Sequence, residues 1–206
     1  MMKCESLERV KETDISQSKI DTMNLLIREL EVDDLDNLPE IDDSFIVNSR
    51  LILSLSKVNK QIEYTVEDVP SYEKSYLQDQ YDDELAYTEY INKPDQVIYI
   101  AILHDQIIGV MVLKKNWNHY AYIEDIKVDK KYRSLGVGRR LIEQAKQWAK
   151  ESNMPGIMLE TQNNNVAACR FYEKCGFVIG GLDFLVYKGI HEESDEVAMY
   201  WYLHFK

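Results

Sequence analysis

Apolar and polar positions follow clear periods over the second half of the chain and looser ones over the first. Val97-Ile98-Tyr99-Ile100-Ala101-Ile102-Leu103 and Ile107-Ile108-Gly109-Val110-Met111-Val112-Leu113 are two apolar runs of strand length. The turn residues His104-Asp105-Gln106 between them predict a β-hairpin. Tyr120 to Val128 predicts a further strand. From Gly136 to Glu151 the apolar residues fall at Val137, Leu141, Ile142, Ala145, Trp148 and Ala149, the spacing of a helix with one buried face. Gly156 to Thr161 returns to strand, and Val166 to Lys174 predicts a second helix stopped by Gly176. Phe177 to Tyr187 and Val197 to Phe205 predict two antiparallel strands around the acidic segment His191 to Glu196.

Upstream the pattern is weaker. Residues 1–22 are polar and aperiodic and are expected to be a flexible N-terminal extension, with one folded domain over 23–206. Leu25 to Leu30 predicts the first strand, and Glu31 to Asp43 a short surface helix. Phe45 to Tyr64 is ambiguous, with strand-like runs such as Leu51-Ile52-Leu53; residues 65–93 predict a helical, tyrosine-rich, acidic insertion. Strands, then strand–helix–strand–helix, then strands indicate an α/β (α+β) mixed sheet.

Composition narrows the classes. With 206 residues, 45% hydrophobic, the chain suits a single globular core rather than disorder. No apolar run approaches the roughly 18 residues of a membrane helix, and the chain start shows no signal-type apolar stretch, so a cytoplasmic protein without membrane contact is expected. Cys4, Cys169 and Cys175 lack metal-type pairing and the histidines are scattered, so no metal site is expected. The 36 acidic against 24 basic groups give a net charge of −12, which argues against nucleic-acid partners and favours cationic small molecules.

Arg133-Ser134-Leu135-Gly136-Val137-Gly138 opens the first helix. Free amides there, with the positive end of the helix dipole, form a seat for a pyrophosphate. Arg133, Arg139 and Arg140 reverse the local sign of charge in an acidic protein. A dinucleotide fingerprint would need glycine where Leu141 stands, and no P-loop Gly-Lys-Ser/Thr follows. Taken alone, the loop leaves a plain helix-entry turn open.

Its surroundings change that. Ile123-Glu124-Asp125-Ile126-Lys127-Val128 followed by Arg133–Gly138 resembles motif A of the GNAT acetyltransferase superfamily. Asn165-Val166-Ala167-Ala168-Cys169-Arg170-Phe171-Tyr172-Glu173-Lys174-Cys175-Gly176-Phe177 resembles its motif B, N-x-x-A-x-x-x-Y-x-x-x-G-F. The likeness covers about 95–190 well and the first third loosely. It implies a mixed, mostly antiparallel twisted sheet, bulged and splayed at its central strands and flanked by helices. It also implies acetyl-CoA as co-substrate and no metal. Residues implied to hold acetyl-CoA are Ile126, Lys127 and Val128 by strand addition, Arg133, Ser134, Leu135, Gly136, Val137, Gly138 and Arg139 at the pyrophosphate, and Asn165.

Catalytically, the resemblance implies that Tyr172 donates a proton to the departing sulfur, as a phenol of pKa about 10 can at neutral pH. An amine of pKa about 10.4 arrives protonated and needs a base before attack. Glu124 is the candidate, sharing a strand face with Ile126 and Val128; Asp125 or ordered water are the alternatives. For the acceptor, Tyr81, Asp82, Asp83, Glu84 and Asp125 offer carboxylates and aromatic faces to a cation. Leu159-Glu160-Thr161-Gln162-Asn163-Asn164-Asn165 and Tyr187-Lys188-Gly189…Asp195-Glu196-Val197-Ala198 look like streptothricin acetyltransferases. That likeness implies acetylation of a β-lysine amine of a cationic antibiotic, and hence resistance. Polyamine, aminoglycoside or protein Nα-acetylation and a non-catalytic acyl-CoA module are the competing expectations. C-terminal strands of such folds often pair between subunits, which leaves room for a homodimer.

Overall fold

The computed structural model describes residues 24–55, 62–75 and 87–205. They group into two compact units, the first comprising 24–43, 87–113 and 125–145, the second 44–55, 62–75, 114–124 and 146–205. The architecture is mixed α/β, with a large, mostly antiparallel sheet and few helices.

In the first unit, β1 (Leu26–Glu29) pairs antiparallel with β4 (Gln96–Leu103), from Leu26 opposite Ile102 to Glu29 opposite Tyr99. The predicted turn before β5 (Gln106–Lys115) places His104 and Asp105 at φ 49° and 61°, the two left-handed residues of a tight hairpin. The acidic segment after β1 winds as a 3-10 helix, Val32–Asn37. Asp34 there accepts from the Glu31 amide at 2.9 Å and binds the Arg28 guanidinium through both oxygens, at 2.6 and 2.7 Å. Leu30, Ile41, Ile98, Ile100, Val110 and Val112 form the core of this unit, with Tyr87 and Tyr90 packed on it.

In the second unit, β2 (Phe45–Leu55) and β3 (Ile62–Lys74) form an antiparallel pair. This corrects the helical expectation for 65–93: residues to Lys74 are strand, and only Tyr87–Glu89 form a short 3-10 turn, 76–86 lying outside the described residues. β3 is mostly exposed; apolar residues alternate only at Ile62, Tyr64 and Val66, so beyond Val66 its strand form comes from the ladder to β2. β7 (Gly156–Gln162) pairs along its whole length with β9 (Ala198–His204), which pairs on its other side with β8 (Val178–Asp183). β6 (Ala121–Val128) runs parallel to β7.

The α-helices among the described residues are α1 (Val137–Glu151) and α2 (Val166–Lys174). One sheet face buries Ile157, Leu159, Met199 and Trp201; Tyr172 from α2 lies against Trp201 and Phe177, ring centroids 6.1 and 5.9 Å apart. Strand alternation sends Met158, Glu160 and Gln162 to the opposite face, with Tyr200 and Tyr202 opposite them on β9 and Tyr122 on β6. Gly180 sits at the β8 irregularity, where any Cβ would collide with the Tyr202 ring. Only glycine lets β8 pass that tyrosine.

Candidate active site

The parallel β6–β7 ladder runs from Ala121 opposite Ile157 to Ile123 opposite Leu159 and stops there. β6 continues to Val128, while β7 continues to Gln162 along β9. The backbone of Ile126, Lys127 and Val128 therefore lies beyond that ladder, as strand addition requires. Asp129 then caps a 3-10 turn, Lys130–Tyr132, by accepting from the Lys131 amide at 3.0 Å. Arg133 bends back: its Nε donates to the Val128 carbonyl at 3.0 Å and its Nη2 to the Asp42 carbonyl at 3.1 Å. The sequence suggested an anion-binding arginine; the geometry makes it also the latch between strand end and loop.

Ser134 and Gly136 both adopt left-handed torsions, φ 63° and 88°, which turn the loop into α1. The buried Val137 side chain anchors the first turn. The Arg140 amide bonds the Gly136 carbonyl at 3.1 Å, so the amides of Val137, Gly138 and Arg139 precede the helical ladder and have no acceptor one turn back within it. They point along the positive end of a 15-residue helix. Amides of this kind at a helix start form a donor set suited to a pyrophosphate.

The candidate acid and base groups are more occupied than the sequence suggested. Glu124 forms an ion pair with Lys114, whose ammonium also lies 6.0 Å from the Tyr122 ring centroid. Asp125 meets Lys127 at 3.0 Å, and burial pushes its carboxyl above the usual range despite that cation. An internal cation thus already faces Asp125. Tyr172 is 6% exposed within its aromatic cluster, and the Asn165 side chain caps α2 by accepting from the Ala168 amide at 3.1 Å. Tyr81, Asp82, Asp83 and Glu84 lie outside the described residues. If Glu124 is the base, Glu124→Gln should abolish the acidic limb of the pH–rate profile and cut kcat by about a hundredfold; an unchanged profile would remove it from the reaction.

Two residues of the run Leu159–Asn165 were given no role in the sequence. Asn163 is buried and fourfold bonded: its carbonyl accepts from the Leu51 amide and its amide donates to the Val197 carbonyl, its Nδ2 donates to the Leu51 carbonyl at 3.1 Å, and its Oδ1 accepts from the Val197 amide at 2.9 Å. It ties β2 to the entry of β9 in the second unit. Glu160 is the other. Its Oε1 accepts from the Tyr187 phenol at 2.7 Å, and burial raises its carboxyl above the usual range, with Glu196 adding repulsion and the Tyr187 bond and Lys74 opposing. A carboxylate in the apolar run Ile157-Met158-Leu159 was the available signal.

Residues 63–177 match the model of the acetyltransferase (GNAT) family. The chain belongs to that family and is an N-acetyltransferase that uses acetyl-CoA. Within it, the chain is of the streptothricin acetyltransferase type. It is 39% identical over 163 residues to the streptothricin acetyltransferase of Escherichia coli, covering 79% of this chain and 87% of that one. It is 37% identical over 164 residues to streptothricin acetyltransferase A of Bacillus subtilis (strain 168), covering 80% and 91%. A 1.6 Å crystal structure from Bacillus anthracis strain Ames, described provisionally as a streptothricin acetyltransferase and solved with acetyl coenzyme A, is 81% identical. It superposes with a TM-score of 0.84 over 88% of this chain and 100% of that one.

Proposed function

We propose that the acceptor is a primary amine of a cationic small molecule, the β-lysine moiety of streptothricin-type antibiotics, and that acetylation confers resistance. The observation that carries this reading is the extent of the match. Likeness to the two streptothricin acetyltransferases runs over about four-fifths of the chain, well past the family-wide segment 63–177. The net charge of −12 supports a cationic acceptor, since acylation of one ammonium removes a charge that the protein attracts.

Acetyl-CoA supplies the acetyl group and a thiol leaving group. The chain's part is to bind and orient it through the strand amides of Ile126 to Val128, the loop Arg133–Arg139 and Asn165. Proton transfer completes the reaction: Glu124, directly or through water, accepts the ammonium proton, and the Tyr172 phenol gives one to the departing sulfur. Thiol release from acetyl-CoA with a panel of streptothricin, free lysine, spermidine, an aminoglycoside and a peptide N-terminus tests the acceptor. Turnover with streptothricin at a kcat/KM about a hundredfold above the others is the expected result. Equal turnover of all amines, or preference for the peptide, would refute the antibiotic reading.

A further inference from the structure

We propose that the face of β7 bearing Glu160 and Gln162 is the acceptor-binding site, a carboxylate-and-phenol cage that receives the ammonium of a cationic amine. The inference rests on the cationic-acceptor reading above but not on the acceptor being an antibiotic. It places the acceptor on residues of the second unit that lie in the streptothricin-acetyltransferase-like segments of the sequence but to which no role was assigned there.

The geometry starts where the β6–β7 ladder ends. Glu160 is the first β7 residue beyond the last pair, Ile123 with Leu159. Tyr200 lies directly opposite it on β9, and Tyr187 is brought to it by the turn after β8. Asp183 builds that turn: its Oδ1 accepts from the amides of Leu185 and Val186 at 2.8 and 3.1 Å, folding the chain back so that the Tyr187 phenol meets Glu160. Tyr122 on β6 stands within electrostatic range of Glu160, Glu124 and Tyr200. Burial pushes the Tyr122 phenol up to about 12, so the ring stays neutral and its face remains attractive to a cation. A second carboxylate, Glu196, is held at 2.6 Å by Lys74 and at 2.8 Å by Asn164 Nδ2.

The decisive feature is an excess of buried acceptors. Gln162 Oε1 and Asn164 Oδ1 belong to side chains only 5% and 7% exposed, and neither meets a donor among the described residues. Gln162 shares the face of β7 with Glu160 two residues away. Asn164 is oriented by Glu196, a carboxylate that only accepts, so its amide nitrogen faces Glu196 and Tyr72 and its oxygen is left over. Buried oxygens without donors are costly and rare. An alkylammonium supplies three donors, no acceptor and a positive charge, the complement of this set; an anion or an acceptor-rich neutral ligand would add to the imbalance.

Kinetics of the full-length enzyme with the panel above test the cage, using whichever acceptor the wild type turns over best. Glu160→Gln should raise the acceptor KM about tenfold or more and leave the acetyl-CoA KM within about twofold. Gln162→Met keeps the side-chain length and removes the unpaired oxygen. It should raise the acceptor KM about fivefold while the melting temperature holds or rises, a combination that a structural role alone would not give. Unchanged acceptor KM in both folded variants, or a parallel rise in both KM values with loss of melting temperature, overturns the proposal. Should Glu160→Gln not fold, Gln162→Met decides. A wild type idle on streptothricin, with these shifts appearing in the variants on spermidine, sinks the antibiotic reading and upholds the cage. A best acceptor carrying no cationic group sinks the cage.

Discussion

Replacing Gly138 by valine is expected to raise the Kd for CoA about ten- to a hundredfold without lowering the melting temperature. The residue is the second of α1, where the backbone is helical and a side chain adds no torsional strain. Its amide is one of three that precede the Arg140–Gly136 bond at the helix start. A branched side chain there holds the pyrophosphate away from those amides, and each charge-assisted hydrogen bond lost is worth about 1.5–3 kcal/mol. At 1.4 kcal/mol per factor of ten, the loss of about one such bond gives the stated range. Gly136→Val is the companion experiment. Gly136 sits at φ 88°, where a β-branched residue is strained by about 1–3 kcal/mol, so this variant should lose both CoA affinity and melting temperature. Isothermal titration with CoA and thermal melts of both proteins separate the effects. Normal CoA binding by folded Gly138→Val would undo the phosphate seat.

The proposed donor half of the site was legible because it is made of local chemistry. A glycine-bearing loop, a helix start and a preceding strand are contiguous in the chain, and their order can be read without knowing any tertiary contact. The same holds for the hairpin at His104-Asp105 and for α2 with its Asn165 cap. The acceptor cage proposed above is made of residues that meet only on folding. Glu160 is brought to Tyr187 and Tyr200 by the β7–β9–β8 ladders, and to Glu196 and Lys74 by the path of β3. The sequence drew attention to the dense run of acids and tyrosines at 79–90, of which 79–86 lie outside the described residues. A lone carboxylate on a buried strand is a separate signal, legible in Glu160 by its place in an apolar run.

The helical expectation for 65–74 failed because a partner strand decides its form. β2 carries buried Phe45, Val47 and Leu51 at strand spacing, but β3 offers little apolar surface and contains Pro70. Its partner dictates its form, and pairing energy is invisible to a one-segment pattern. Arg50 shows what holds such a strand: it reaches Glu67 at 2.9 Å on β3 and Asp195 at 2.5 Å before β9. These are polar, long-range contacts between exposed side chains, worth little individually.

Tyr172→Phe is expected to lower kcat about a hundredfold while CoA affinity and melting temperature stay near wild type. The ring, not the hydroxyl, makes the packing with Phe177 and Trp201, and phenylalanine preserves it at a site 6% exposed. A core aromatic with no chemical role would give an unchanged kcat, so the two roles separate on one measurement. A second measurement identifies the step. Donation to sulfur matters only while the leaving thiolate is basic, because a more acidic thiol departs without a proton. The ratio of wild-type to Tyr172→Phe rates should therefore shrink toward unity when an activated aryl thioester replaces acetyl-CoA as acetyl donor. If the phenol instead positioned the amine or stabilised the fold, the ratio would be indifferent to the leaving group. A ratio that stays near a hundredfold with the aryl thioester would move Tyr172 out of the proton-donor role and leave sulfur protonation to water.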